Sequence, residues 1–299
     1  MSVLTEARDV GATQAIANAP RGLRSDRRWL HLLLHFVFIA GSVIYVLPFL
    51  WMLSTSLTLS GRELAVPPQW VPSPVVWGNY YKALTVVPMI TFFRNTLFIT
   101  VTATLFGTLA ASLAGFAFGR LSFPGRNVWF GFCLGTLILP SIVTVIPTFV
   151  LFREVGWINT FLPLIVPWSL GGNAFAVFLF RQYAMTIPLD LDEAARVDGA
   201  HALRIWWSII LPSARPVLAT IVILSVLHHW NDFLAPLVYL QAPNLRTVAL
   251  GLAMFQSDYL VEWNLMMAAS TVMLIPVVLL FFVAQRYFVQ GIVMTGIKG

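Results

Sequence analysis

A chain of 299 residues with 59% hydrophobic residues, only 10% charged residues and a mean hydropathy of +0.83 is excluded from the ordinary soluble class. Soluble domains carry about 25% charged residues, so lipid must be the solvent for most of this surface. The net charge of +6 does not point to nucleic acid: Arg8, Arg21, Arg24, Arg27 and Arg28 crowd before the first apolar run, and no basic face interleaved with aromatics follows.

Residues 1–29 have no periodic apolar face and read as a cytoplasmic N-terminal arm. They are not a cleavable signal, because the apolar run behind them is too long and no small-x-small pattern ends it. Six stretches then reach the roughly 20 apolar residues that a spanning helix needs: 30–57, 95–118, 128–152, 158–180, 217–240 and 263–284. Five hold no Asp, Glu, Lys or Arg, and 217–240 holds only Asp232. One central acid costs about 3 kcal/mol, which many apolar residues contributing roughly 0.3–0.6 each offset. The runs are continuous, unlike alternating barrel strands, and backbone in lipid must pair within its segment. The expectation is an all-α membrane protein of six transmembrane helices.

Thirteen Lys and Arg fall on the side of the N-terminus and four (Arg62, Lys82, Arg153, Arg246) on the other, with Arg94 at a boundary. By the positive-inside rule both termini are cytoplasmic. The first helix is then 30–57, an extracytoplasmic loop with Trp70 and Trp77 is 58–93, spans two to six make one domain at 94–285, and 286–299 is a cytoplasmic tail.

Along the spans, His31 and His35 lie four apart without a third ligand, so they read as interfacial or lipid-facing residues rather than a metal site. Gly107, Ala110, Ala111, Ala114 and Gly115 make span two a close-packing helix, for a dimer interface or the bundle interior. Cys133, the only cysteine, permits no internal disulfide and reads as a small core residue. Pro140, Pro147, Pro163 and Pro167 predict kinks in spans three and four. Asn173, beside Gly171 and Gly172, is a candidate for a solute path, because a helix break there would expose backbone groups. Packing through small residues is the equal alternative. His228 and His229 are adjacent and read as packing; Asn231 is a further path candidate, although capping or pairing is the favoured role for it and Asp232. No internal repeat is visible.

The one sizeable polar stretch on the inner side is 181–216. Pro188 precedes Asp190, Asp192 and Glu193, an acidic first turn suited to a helix N-terminus, with Asp190 as N-cap and Glu193 in capping-box spacing. Gly199 suits the left-handed residue that ends that helix. Ala202, Ile205, Trp206, Ile209 and Ile210 then form one apolar stripe, which Pro212 and Pro216 stop before span five. This helix–turn–helix would project into the cytoplasm with its stripe toward a partner protein. On pattern alone, a helix pair lying on the inner membrane surface is equally compatible.

The spacing Glu193-Ala194-Ala195, three residues, Gly199, nine residues, Ile209, one residue, Leu211-Pro212 resembles the EAA loop of ABC importer permeases. The C-terminal half is similar to the carbohydrate branch, the maltose and glycerol-phosphate type permeases, at Trp230-Asn231-Asp232-Phe233, Pro236-Leu237, Leu245-Arg246-Thr247, Gly251-Leu252, Met267-Ala268-Ala269 and Pro276. The resemblance covers about 90–290 and implies a type I ABC importer permease fold. It implies that Glu193, Ala194, Ala195, Asp198, Gly199, Ile209, Leu211 and Pro212 couple to a separate ATPase. A tail with Gln290, Gly291, Lys298 and Gly299 would touch that ATPase. Implied partners are a second permease subunit, an ATPase dimer and an extracytoplasmic sugar-binding protein, besides membrane lipid.

No cofactor is expected in this chain; ATP and Mg would sit on the ATPase. The chain has no phosphate-binding loop, since neither Lys82 nor Lys298 ends a Gly-rich turn. The alternative of an ion-coupled secondary transporter would need intramembrane ionisable residues, of which Asp232 is nearly alone. A membrane enzyme would need converging acids, histidines or a nucleophile with its base.

Overall fold

The computed structural model describes residues 23–63, 65, 67, 69–171, 173–256 and 262–295, with side chains described from 29 to 285. The chain divides into two compact units, 1–54 and 55–299. The first unit is dominated by α1 (Leu23–Ser56), which continues through Pro48. Its Trp29–Ser56 portion is 28 residues long and apolar enough to cross a membrane. At 1.5 Å per residue that is about 42 Å, enough for a bilayer core of about 30 Å.

The second unit begins with a tethered turn. Asn79 Nδ2 donates to Ser56 O at 2.9 Å and Thr58 O at 2.8 Å, and Val76 N donates to Leu57 O at 2.9 Å. A short α2 (Gly78–Thr85) leads into α3 (Met89–Arg120), 32 residues long and the axis of the unit. Then come α4 (Arg126–Gly135), α5 (Ser141–Glu154), α6 (Leu162–Ser169) and α7 (Ala174–Thr186). The polar loop supplies α8 (Asp190–Val197) and α9 (Ala202–Ser213). The chain ends with α10 (Arg215–Asn231), α11 (Leu234–Tyr239), α12 (Val248–Ala253) and α13 (Trp263–Thr295).

The small residues of span two face the bundle interior. A Cβ on Gly115 would lie 2.9 Å from Arg181 N and Val177 O, and one on Gly107 would lie 3.2 Å from Trp168 O. Span four therefore runs down α3 with its backbone almost touching, which only glycine permits there.

Three predicted spans are broken. Helices Arg126–Ile138 and Ser141–Glu154 meet at 104°. The residue before proline is pushed out of the helical region, and Leu139, before Pro140, has ψ 117°. Span five ends at Asn231 because Asp232 is extended, and α11 follows as a separate helix. Span four breaks at Gly171, which holds φ +87°.

Contacts sort the elements to two ends. Arg120 reaches Pro188 O and Asp192, Arg126 reaches Leu121 O, and Arg181 reaches Phe118 O and lies over Phe130. At the far end Asn95 Nδ2 donates to Asn244 O and Arg246 O, Val248 N donates to Thr96 Oγ1, and Phe98 packs on Phe161. Between Phe98 and Arg120, α3 rises about 33 Å. The bent pair starts at the Arg120 end and finishes at Phe152, stacked on Trp157 at the far end. Its two ends therefore meet opposite ends of α3.

Candidate coupling site and solute cavity

The loop between α7 and α10 starts where Pro188 frees α8 from α7. Three acids, Asp190, Asp192 and Glu193, occupy the first turn of α8, where the positive end of the helix dipole favours them. The predicted capping box does not form. Leu189 is the N-cap and Asp190 is already the first helical residue, so its carboxylate is one position too late to accept from the end amides.

The C-terminus is as the spacing predicts. Gly199 holds φ +79°. Gly199 N donates to Arg196 O at 3.0 Å and Ala200 N to Ala195 O at 2.9 Å, the paired bonds of a Schellman ending. His201 then caps α9, its Nδ1 accepting from Arg204 N.

The apolar stripe of α9 faces the other way from the sequence expectation. Ile205 and Ile210 are fully buried against Phe116, Val177, Phe180 and Ile221, with Trp206, Ile209 and Leu211 packed around them. The stripe is core because the loop-side ends of α3, α7 and α10 present an apolar patch that it covers. What remains outward is Glu193, Ala194, Asp198 and Gly199, with Val197 88% exposed, Leu203 and Trp207. Ala195 turns inward.

Pro212 does not stop the helix. The turn widens over Trp206–Ile210, so that Leu211 N donates five residues back to Trp206 O. The path continues to Ser213, where Ala214 (ψ 12°) turns it by 82° into α10. A proline is tolerated there because it opens the last short turn, where its missing N–H is not needed.

Two residues that sequence reading used only as charges prove structural. Arg120 Nη2 lies 3.2 Å from Asp192 Oδ1, with side chains 2% and 4% exposed. Asp192 shares the inward face of α8 with Ala195, three residues on. That spacing is the one signal that separates it from its exposed acidic neighbours.

The predicted solute-path residues do not gather. Asn173 caps α7, accepting from Ala176 N at 3.1 Å, and Gly171 supplies the break before it. Gly172 lies outside the described residues. Asn231 donates back to Leu227 O at 2.8 Å on an exposed face. Asp232 accepts from Ala235 N, the capping role expected of it.

A cavity of about 290 Å³ forms instead between α5, α6 and α11. Its polar lining includes Thr144, Thr148, Trp168, His228, Asp232 and Tyr239. Thr148 already donates to Thr144 O at 2.7 Å, so the 2.7 Å contact with Tyr239 uses the tyrosine hydrogen. The Tyr239 oxygen keeps lone pairs free to accept. His228 and His229, though adjacent, both meet Trp168, at 4.5 and 4.7 Å between ring centres. Trp168 is level with Gly107, midway along α3, so the cavity spans the half of the bundle away from the loop. Its described lining contains Asp232 and no Lys or Arg.

Of the predicted tail contacts, Gln290 and Gly291 are the last turns of α13, with side chains outside the described set; Lys298 and Gly299 lie outside the described residues. Among the described residues, no three His, Cys, Asp or Glu side chains gather into a metal-binding group.

Residues 103–294 match the family model of the binding-protein-dependent transport system inner membrane component. The chain is similar to the arabinooligosaccharides transport system permease protein AraQ of Halalkalibacterium halodurans, 34% identical over 91% of this chain and 96% of that protein. It is also similar to the sn-glycerol-3-phosphate transport system permease protein UgpE of Yersinia enterocolitica, 30% identical over 90% and 98%. A crystal structure of a bacterial ABC transporter involved in import of the acidic polysaccharide alginate contains a chain of the same fold, with a TM-score of 0.77 and 23% identity over 90% of this chain and 99% of that one. The family match and the common fold agree with the loop and the crossings above: the chain belongs to the binding-protein-dependent transport system inner membrane components, as a multi-pass permease subunit of an ABC importer and not an enzyme.

Proposed function

We propose that this subunit imports a neutral sugar or sugar derivative by alternating access, driven through the 190–212 loop by a separate ATPase dimer that holds ATP and Mg. A second permease subunit would complete the pathway, and an extracytoplasmic sugar-binding protein would deliver the solute. Both termini then lie in the cytoplasm, and Gln290, Gly291, Lys298 and Gly299 extend toward the ATPase. The observation that carries the coupling role is the outward face of α8, with Glu193, Ala194 and Val197 exposed beside the Schellman ending at Gly199.

The cavity chemistry supports the solute class. Trp168 and Tyr239 offer apolar faces for a sugar ring, and Asp232, His228 and the Tyr239 hydroxyl offer partners for its hydroxyls. A single acid and no Lys or Arg in the described lining disfavour a phosphate, sulfonate or uronate. The volume lies at the lower edge of the roughly 300–1,000 Å³ typical of small-ligand pockets, which suits one or two rings at a time.

The test is uptake into proteoliposomes carrying the whole assembly. Glu193→Ala is expected to abolish ATP-dependent uptake while membrane insertion is unchanged; normal uptake would overturn the coupling role. Maltose and arabinobiose are expected to compete for transport and sn-glycerol-3-phosphate is not. Competition by the phosphate alone would overturn the neutral-sugar reading.

A further inference from the structure

Resting on the coupling reading above, we propose that the buried Arg120–Asp192 pair is a positioning clamp that transmits loop movement into α3. The geometry is specific. Arg120 is the last residue of α3, and one nitrogen, Nη2, meets both Asp192 Oδ1 and Pro188 O at 3.2 Å. It therefore grips the loop on both sides of the α8 N-terminus. Its charge suits the negative end of α3, and Asp192 suits the positive end of α8.

The rest of α8 offers little else to hold it. Asp192 is its only buried residue, Ala195 is half-buried, and the others are exposed. Without the pair, Pro188 and Gly199 would leave α8 free to pivot at both its ends. With it, a push on Glu193, Ala194 or Val197 is carried to the end of a 32-residue helix. From there Gly115 and Gly107, pressed against the backbones of α7 and α6, carry it toward the cavity wall at Trp168.

A stability role alone explains the pair poorly. A buried ion pair is often no more stabilising than apolar residues of the same size. This one is also incompletely satisfied, since the buried Arg120 Nε has no hydrogen-bond partner. Such a polar contact specifies one position of α8 against α3 more sharply than it stabilises it.

The test uses the assembled transporter with its ATPase in lipid nanodiscs, and ATP–Mg with vanadate as the probe. In a Cys133→Ser background, spin labels are placed on the exposed positions Leu189→Cys, beside α8, and Leu105→Cys, on α3. In the otherwise unchanged protein both labels change mobility when the nucleotide is trapped. In Asp192→Asn the Leu189 label is expected to respond as before. The Leu105 response should fall about five-fold or more, the lower edge of ordinary site-to-site coupling. A lost Leu105 response beside an intact Leu189 response is a split that a merely structural residue would not produce.

A full Leu105 response in both Asp192→Asn and Arg120→Gln would overturn the clamp. Silence of both labels before any change to the pair would instead overturn the coupling reading on which the clamp rests. If Asp192→Asn does not assemble, Asp192→Glu keeps the charge one methylene out of register. It should assemble with a reduced Leu105 response, and an unreduced one counts against the clamp.

Discussion

Two glycines separate backbone conformation from space. Gly199 holds φ +79° with nothing within 4 Å of where a Cβ would stand, so Gly199→Ala meets strain alone. That strain is about 1–2 kcal/mol for an L-residue in the left-handed region. Gly115 is helical, but its Cβ would stand 2.9 Å from two backbone atoms of α7, which cannot rotate away. Overpacking of that kind costs roughly 1–3 kcal/mol even in cores that adjust, and here two helices must separate. Thermal unfolding of the purified assembly, followed by tryptophan fluorescence, should show the larger drop for Gly115→Ala. Gly199→Asn, which tolerates this conformation, should stay close to the original. A larger drop for Gly199→Ala would contradict this account. The two residues also differ in legibility. Gly199 follows an acidic first turn at helix length, so its role can be read locally, whereas Gly115's partners are more than 60 residues away in sequence.

At the scale of elements, the apolar runs predict where helices lie but not where they bend. Hydropathy measures what lipid accepts and is silent on backbone direction, so 128–152 and 217–240 read as single spans. The breaks come from Pro140 acting on Leu139, and from Asp232, whose side chain caps α11. The stripe on α9 exists as its spacing predicts but is core rather than a partner surface, because periodicity gives a face but not what covers it. Asn159 was not legible at all. It adopts φ 62°, donates its own N–H to Tyr239 O at 2.9 Å, and accepts at Oδ1 from Gln241 N at 2.7 Å and Ala242 N at 2.9 Å. It thus ties the turn after α5 to the end of α11, next to the cavity. Asn159→Ala leaves two amides without their acceptor, each worth about 1–3 kcal/mol if water cannot replace it. Hydrogen exchange of peptides covering 239–245 should accelerate in Asn159→Ala. It should stay slow in Asn159→Asp, which keeps the accepting oxygens. Equal acceleration in both would show that the oxygen is not what orders this segment.

The sidedness of unit 55–299 joins these scales. Arg120, Arg126, Arg181, Arg196, Arg204 and Arg215 belong to the loop end, and Arg94, Arg153 and Arg246 to the far end. Charge bias assigns the loop end to the cytoplasm. The bent pair is the element on which this reading can fail, since a turn of 104° also suits a hairpin that returns to its starting side. The far-end contacts of Phe152 with Trp157 and Tyr239 argue that it crosses. Single cysteines in a Cys133→Ser background decide the matter in intact cells treated with a membrane-impermeant maleimide. Gln241→Cys and Glu154→Cys, both exposed at the far end, should react from outside. Arg196→Cys and the exposed Asn127→Cys should react only after the membrane is opened. Reaction of both 127 and 154 on one side would make the pair a re-entrant loop. Reaction of 196 from outside would invert the subunit and remove the loop from any cytoplasmic ATPase. Only the predicted pattern leaves α8 on the ATP side and the cavity half on the side from which solute arrives.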